Sequence, residues 1–180
     1  VSDRAALTGM AERKVTAIGR FDYAEQVALR FQNSALGSGV HLVAPFVLTG
    51  TQTAVLVDRG WIDNATWEAG DAAQFDEPPG TISGVIQLSQ PLPRGIAPAA
   101  ERQSAVFQLN VAELAGQMPY ELLPIYVLQT ADRNDTTARP YRTPYTPEIS
   151  EGNHLSYAVQ WFLFAVIVGV GYVGYLRRYG

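Results

Sequence analysis

Residues 155–176 run for 22 positions without a charge, and no other feature of the chain constrains its folding as strongly. The run reads L-S-Y-A-V-Q-W-F-L-F-A-V-I-V-G-V-G-Y-V-G-Y-L and stops at Arg177-Arg178. As a helix rising about 1.5 Å per residue it reaches roughly 33 Å, enough to cross a bilayer core. A buried helix of a soluble protein would carry a polar stripe, whereas Gln160 is the only strongly polar residue inside this run. Tyr157 and Trp161 near one end, and Tyr172, Tyr175 and Tyr179 near the other, suit the two interfacial belts of a membrane. The chain is expected to be anchored in a lipid bilayer with its bulk on one side.

That bulk is the 154 residues before the run, enough for one domain with a sizeable core. It holds all 17 acidic residues against 11 basic ones, a formal charge of −6. This balance argues against nucleic acid and against anionic lipid as partners. Without a cysteine the chain has no disulfide, no thiolate metal site and no thiol nucleophile. Arg177 and Arg178 follow the run and Glu148 and Glu151 precede it, so the positive-inside tendency puts the tail in the cytoplasm and the domain outside. Arg139 and Arg142 also lie upstream, but in a long domain that translocates largely regardless of its charge. A targeting segment or a first helix is expected upstream of Val1. The resulting organisation is an extracytoplasmic β domain at 1–138, a proline-rich connector at 139–153, a transmembrane helix at 154–177 and a cytoplasmic tail at 178–180.

Strand periodicity dominates the domain. Alternation predicts strands at Lys14–Phe21, Glu25–Phe31, Val40–Leu48, Thr53–Asp58, Thr81–Leu88, Ala105–Leu109 and Pro124–Gln129. Asn33–Gly39 has turn composition, and Thr49-Gly50-Thr51-Gln52 reads as the loop of a hairpin. Pro45 cannot donate to a ladder and marks an edge or a bulge. Seven short strands with such punctuation indicate an antiparallel β barrel or sandwich. Asn110 and Glu113 have capping-box spacing and predict a short helix ending near Met118. Asn64–Phe75 predicts a helical turn. Gln90–Pro98 and Arg139–Pro147 read as loops that proline holds extended, the second being stiff enough to fix the domain's height above the membrane.

Signals for catalysis are few. The two histidines, His41 and His154, lie far apart, no cluster has zinc spacing, and no elbow motif marks a nucleophilic serine. His41 reads as a residue on the surface of a strand. The carboxylate pairs Glu148/Glu151 and Asp132/Asp135 sit in polar loops where solvation explains them. Gly169-Val170-Gly171-Tyr172-Val173-Gly174 fits a dinucleotide fingerprint by letter, but it lies inside the apolar run without a preceding strand. It reads instead as a close helix-packing surface, together with Ala165. Asn64-Ala65-Thr66 and Asn134-Asp135-Thr136 are glycosylation sequons by pattern.

His154 invites a sharper reading. On a helix it shares a face with Tyr157, Trp161, Val168 and Tyr172, which places an imidazole above an aromatic strip at the membrane surface. Such an imidazole suits an axial position on haem iron, but composition and spacing alone favour an ordinary interfacial histidine that helps satisfy a helix N-terminus. In Arg59-Gly60-Trp61, Gly60 permits a backbone turn at a strand end and Trp61 buries a large apolar surface. Arg59 has the fork geometry to meet a propionate or a partner's carboxylate.

Two blocks carry a family resemblance. G-V-H-L-V-A-P-F-V-L followed by A-V-L-V-D-R-G-W-I-D, and later N-H-L-S-Y-A-V-Q-W-F at Asn153–Phe162, resemble the signatures of the surfeit locus protein one (Shy-one) family. Asp58 stands where the family commonly has Asn. The resemblance runs from Gly19 to the final helix. It implies a membrane-held, non-enzymatic assembly factor for cytochrome c oxidase, in a bacterial cell membrane or the mitochondrial inner membrane. It also implies a role in haem a delivery to, or maturation of, the catalytic subunit. The matching histidine implies His154 as a haem iron ligand, flanked by Tyr157 and Trp161, while Pro45, Arg59, Gly60, Trp61 and Gln160 fall in the signature blocks. The family has two helices and only the second is present here, so a partner helix is expected upstream. Two other readings stay open: a permanent accessory subunit of a respiratory oxidase without haem of its own, and an extracytoplasmic hydrolase.

Overall fold

The computed structural model describes residues 7–89, 91, 101–131, 138–142 and 154–180. Seven strands appear among them: β1 (Lys14–Phe21), β2 (Val27–Ser34), β3 (Gly37–Leu48), β4 (Thr53–Asp63), β5 (Gly80–Leu88), β6 (Ala105–Val106) and β7 (Glu121–Gln129). Three α-helices accompany them, α1 (Asn64–Glu68), α2 (Val111–Ala115) and the long α3 (His154–Tyr179). The chain divides into two compact units, Val1–Tyr145 and Thr146–Gly180.

Five strands close on themselves in the order β1-β5-β7-β4-β3, with β3 returning to β1. The fold is therefore a barrel rather than a sandwich. β1 achieves closure by pairing along Lys14–Gly19 with β5 and along Gly19–Phe21 with β3. β2 and β6 extend the sheet beyond β3. Pairing is antiparallel except at β4–β7 and β2–β6, which run parallel. Phe21, Ala44, Phe46, Val55, Val57, Ile82 and Val127 form a buried cluster drawn from all five barrel strands, which makes it the barrel's interior. A second cluster around Val43, Leu56, Leu109 and Leu114 lies under α2, so β4 is covered on both faces. Continuous burial, not alternation, follows from that double coverage.

Pro45, expected at an edge or a bulge, pairs with Leu56 in the middle of the β3–β4 ladder. Its carbonyl accepts from the Asp22 amide, so its missing N–H faces the side where β3 exchanges β2 for β1. No ladder bond is lost there, which is how proline is tolerated in a central strand. β4 also runs five residues past Asp58, where the sequence pattern ends, so Arg59-Gly60-Trp61 lies inside a strand and not at its end. Three steps on β4, Asp58 to Trp61, face two on β3, Val43 to His41; this bulge sits at Arg59 and Gly60.

Asn110 caps α2 by accepting from the Glu113 amide at 3.0 Å. The reciprocal half of the box is absent, because Glu113 Oε1 accepts instead from Gln103 Nε2 at 2.9 Å. The helix stops at Ala115 and Met118 packs into the core beyond it. The Asn64–Phe75 turn resolves into α1, capped by Asp63, and a 3₁₀ turn at Asp71–Phe75. The loop at Gln90–Pro98 falls outside the described residues except Pro91. Most of the Arg139–Pro147 loop, the Asn134 sequon, Asp132, Asp135, Glu148 and Glu151 lie outside them too. α3 contains Val159–Tyr179, a stretch long and apolar enough to cross a membrane, and its described side chains are exposed.

Candidate functional site

Among the described residues Arg59 is the largest fully buried side chain, with no solvent exposure. Being β4's bulge residue, it is turned toward β1 and the loops beside it. Its Nη1 donates to Gln26 Oε1 at 2.7 Å and its Nη2 to the Phe75 carbonyl. Glu77 Oε1 lies 3.6 Å and Asp76 Oδ1 3.9 Å from the guanidinium. The rings of Tyr23 and Phe21 flank it at 4.6 and 5.0 Å. Loss of hydration pushes the Arg59 pKa down, against the attraction of Glu77 and Asp76. Its Nε has no hydrogen-bond partner among the described residues. Tyr23 completes the frame: its hydroxyl donates to the Glu77 carbonyl and accepts the Glu77 amide.

The segment that leads away from the barrel is fastened over this arginine. Trp61 and Tyr141 exchange two backbone hydrogen bonds, at 2.9 and 2.8 Å. Arg142 Nε donates to the Arg59 carbonyl at 2.9 Å, and its guanidinium pairs with Glu77. Trp61 is buried, its indole N–H donates to the Gln32 carbonyl at 3.0 Å, and it lies against Gly39, where any Cβ would come within 2.5 Å of the ring. The site is thus a strapped network of two arginines, two acids and stacked aromatic rings at the 138–142 segment.

His41 is more than a residue on the surface of a strand. Its Nδ1 is bonded to Asp58, 2.7 Å from Oδ2 and 3.0 Å from Oδ1, and Oδ1 also accepts the Gly60 amide at 3.0 Å. The residues lie 17 apart on the two arms of one hairpin. No local pattern marks the pair in the sequence, because the contact depends on the register of that hairpin and on its bulge. Asp58→Asn keeps an acceptor for both partners and is expected to change stability by less than about 1 kcal/mol. Asp58→Ala orphans the buried Gly60 amide and is expected to cost about 1–3 kcal/mol in urea unfolding.

Burial also pushes the phenols of Tyr23, Tyr120 and Tyr126 up. Groups whose folded-state pKa exceeds the unfolded value of about 10 contribute stability that is intact below that pH and lost as pH rises through the folded values. In an alkaline titration these tyrosinates are expected to appear late and together with unfolding, and Tyr126→Phe should remove part of that late absorbance.

Pro45, Arg59, Gly60 and Trp61 all lie on the β3–β4 hairpin, Pro45 opposite Leu56 and Trp61 opposite His41. His154, Tyr157, Gln160 and Trp161 belong to α3, in the other compact unit. Tyr157, Gln160 and Trp161 are exposed, and Trp161 makes an edge contact with Phe164 at 6.1 Å. Among the described residues no group of three or more His, Cys, Asp or Glu is placed to hold a metal ion.

A closed, strapped barrel with one long apolar helix among the described residues defines the class: a small β-barrel domain attached to a candidate membrane span. The sequence profile of the SURF1 family matches residues 2–166, and the chain belongs to that family. An uncharacterized SURF1-like protein of Mycobacterium bovis is 26% identical over 167 residues, covering 91% of this chain and 60% of that protein. A SURF1-like protein of Rickettsia conorii is 29% identical over 177 residues, covering 95% and 72%. One from Caenorhabditis briggsae is 20% identical over 167 residues, covering 89% and 51%. The chain thus spans about 60% of the length of the mycobacterial relative.

Proposed function

We propose that this chain is a membrane-anchored, non-enzymatic assembly factor for cytochrome c oxidase, assisting haem a insertion into, or maturation of, the catalytic subunit. The observation that carries this reading is the family match over residues 2–166, which spans the barrel and enters the apolar helix. α3 anchors the chain in the cell membrane or mitochondrial inner membrane, with the barrel on the extracytoplasmic or intermembrane side. Arg177 and Arg178 at the end of α3 favour that orientation.

The haem contact is assigned to His154, with Tyr157 and Trp161 beside it. The donor chemistry fits: an imidazole suits an axial position, and aromatic rings suit the flank of a macrocycle. The described side chains of α3 are all exposed, so this helix alone does not enclose the group. An upstream helix or the oxidase itself would supply the other wall.

Cells lacking the chain should lose most cytochrome c oxidase activity and haem a content, both restored by the wild type. A His154→Ala chain, expressed at wild-type level, should restore neither. Full restoration by that variant would remove haem contact from the proposal. Stoichiometric co-purification of the chain with mature oxidase would instead identify a permanent subunit.

A further inference from the structure

Two phenylalanines stand in solvent at the outer strands, and nothing in the barrel accounts for them. Phe31 is 80% and Phe107 63% exposed, and their rings stack with centroids 5.2 Å apart and planes inclined by 17°. Leu36, in the adjoining β2–β3 turn, is also 63% exposed. Phe31 holds φ at +60°, on the stretch where β2 slips against β3 between Leu29 and Gln32. Glycine would take that backbone shape freely, whereas phenylalanine there accepts steric strain and sends a large apolar ring into water. Strain and exposure together indicate that the ring is held out for something.

Its position in the fold indicates for what. Trp61 donates to the carbonyl of Gln32, the neighbour of Phe31, and its own backbone pairs with Tyr141 on the way to α3. At this level the ladder runs Tyr141, Trp61, His41, Leu29, three strand spacings or roughly 15 Å. Eleven residues separate Arg142 from His154 and extend to at most about 40 Å. With a tether of that length on α3, the barrel is free to bring this surface to the headgroups, and it is the exposed aromatic pair that selects the face. Phenylalanine and leucine side chains of interfacial segments bury at the boundary between headgroups and acyl chains. The net charge of −6 before the apolar run makes an electrostatic attachment unsuitable, so the contact is apolar.

We propose that Phe31 and Phe107, with Leu36 beside them, insert into the interfacial layer of the bilayer that anchors the chain and fix the barrel against it. This inference rests on the anchoring assigned to α3 above. The absence of cysteine allows single nitroxide labels on the full chain in phosphatidylcholine vesicles, at Phe31→Cys, Phe107→Cys, Gln52→Cys and Ile167→Cys. Each label on the pair leaves the other phenylalanine in place. Gln52 is exposed in the β3–β4 turn, roughly 30 Å along β4 from Trp61, and serves as the aqueous control. Oxygen and nickel-complex accessibility should place labels 31 and 107 about 5–10 Å into the headgroup and acyl boundary, label 52 in water and label 167 in the hydrocarbon. Labels 31 and 107 as water-accessible as label 52, with 167 in hydrocarbon, would overturn the insertion and assign the pair to a protein contact. A water-accessible label 167 would overturn the anchoring reading and the insertion with it.

Discussion

Arg59→Ala is expected to lower the stability of the barrel by about 3–5 kcal/mol, a large share of the roughly 5–15 kcal/mol that holds a domain folded. The loss has two sources. Removing a fully buried side chain leaves a cavity between Phe21 and Tyr23, and it strips Gln26 and the Phe75 carbonyl of their donor. Asp76 and Glu77 contribute less to the loss, because their side chains are 35% and 32% exposed and water can replace the guanidinium. Arg59→Lys keeps the charge without the planar fork and is expected to cost about 1.5–3 kcal/mol. Urea unfolding of the full chain in detergent, followed by tryptophan fluorescence, measures both. A loss below about 1 kcal/mol for Arg59→Ala would show that the network is ornamental to the fold and leave its purpose to a partner.

Gly60→Ala is the second large effect, at about 2–4 kcal/mol, and it acts at a different place. Gly60 holds φ at +118°, and a Cβ there would lie 2.6 Å from the Tyr141 carbonyl and 3.1 Å from Arg142 Cγ. The methyl group is both conformationally strained and in the path of the strap. The cheapest relief is to release residues 141–142, breaking the Trp61–Tyr141 bonds and the Arg142 contacts with Arg59 and Glu77. Hydrogen exchange should therefore accelerate at the Trp61 and Tyr141 amides, while the β1–β5 ladder keeps its protection. Uniform acceleration across the barrel would show instead that the strap is integral to the global fold.

Much of the strand pattern was legible because it is local. Lys14–Phe21 alternates in sequence and alternates in burial, and the β3–β4 turn announces itself in Thr49-Gly50-Thr51-Gln52. β4 was legible only to Asp58, because a charged residue next reads as the edge of an apolar run. Arg59 stays in the strand because Gln26, Phe75 and Glu77, brought from other elements, supply what water would have supplied. The Asp58–His41 pair is not legible for a similar reason. Each residue alone is an ordinary polar position, and only the bulged register sets the imidazole against the carboxylate.

The sequence by itself determined the apolar helix, the predominance of strands and the family, since each rests on short-range periodicity or on motifs read in order. Closure of the sheet was decided only in three dimensions: β1 must meet β3 and β4 must run parallel to β7, pairings between segments far apart in the chain whose edges carry no label of their partner. The tertiary structure likewise decided that Arg59 is interior and Phe31 exterior, against the usual preference of both residue types. Burial depends on which neighbours arrive to satisfy or cover a side chain, and those neighbours come from the fold as a whole.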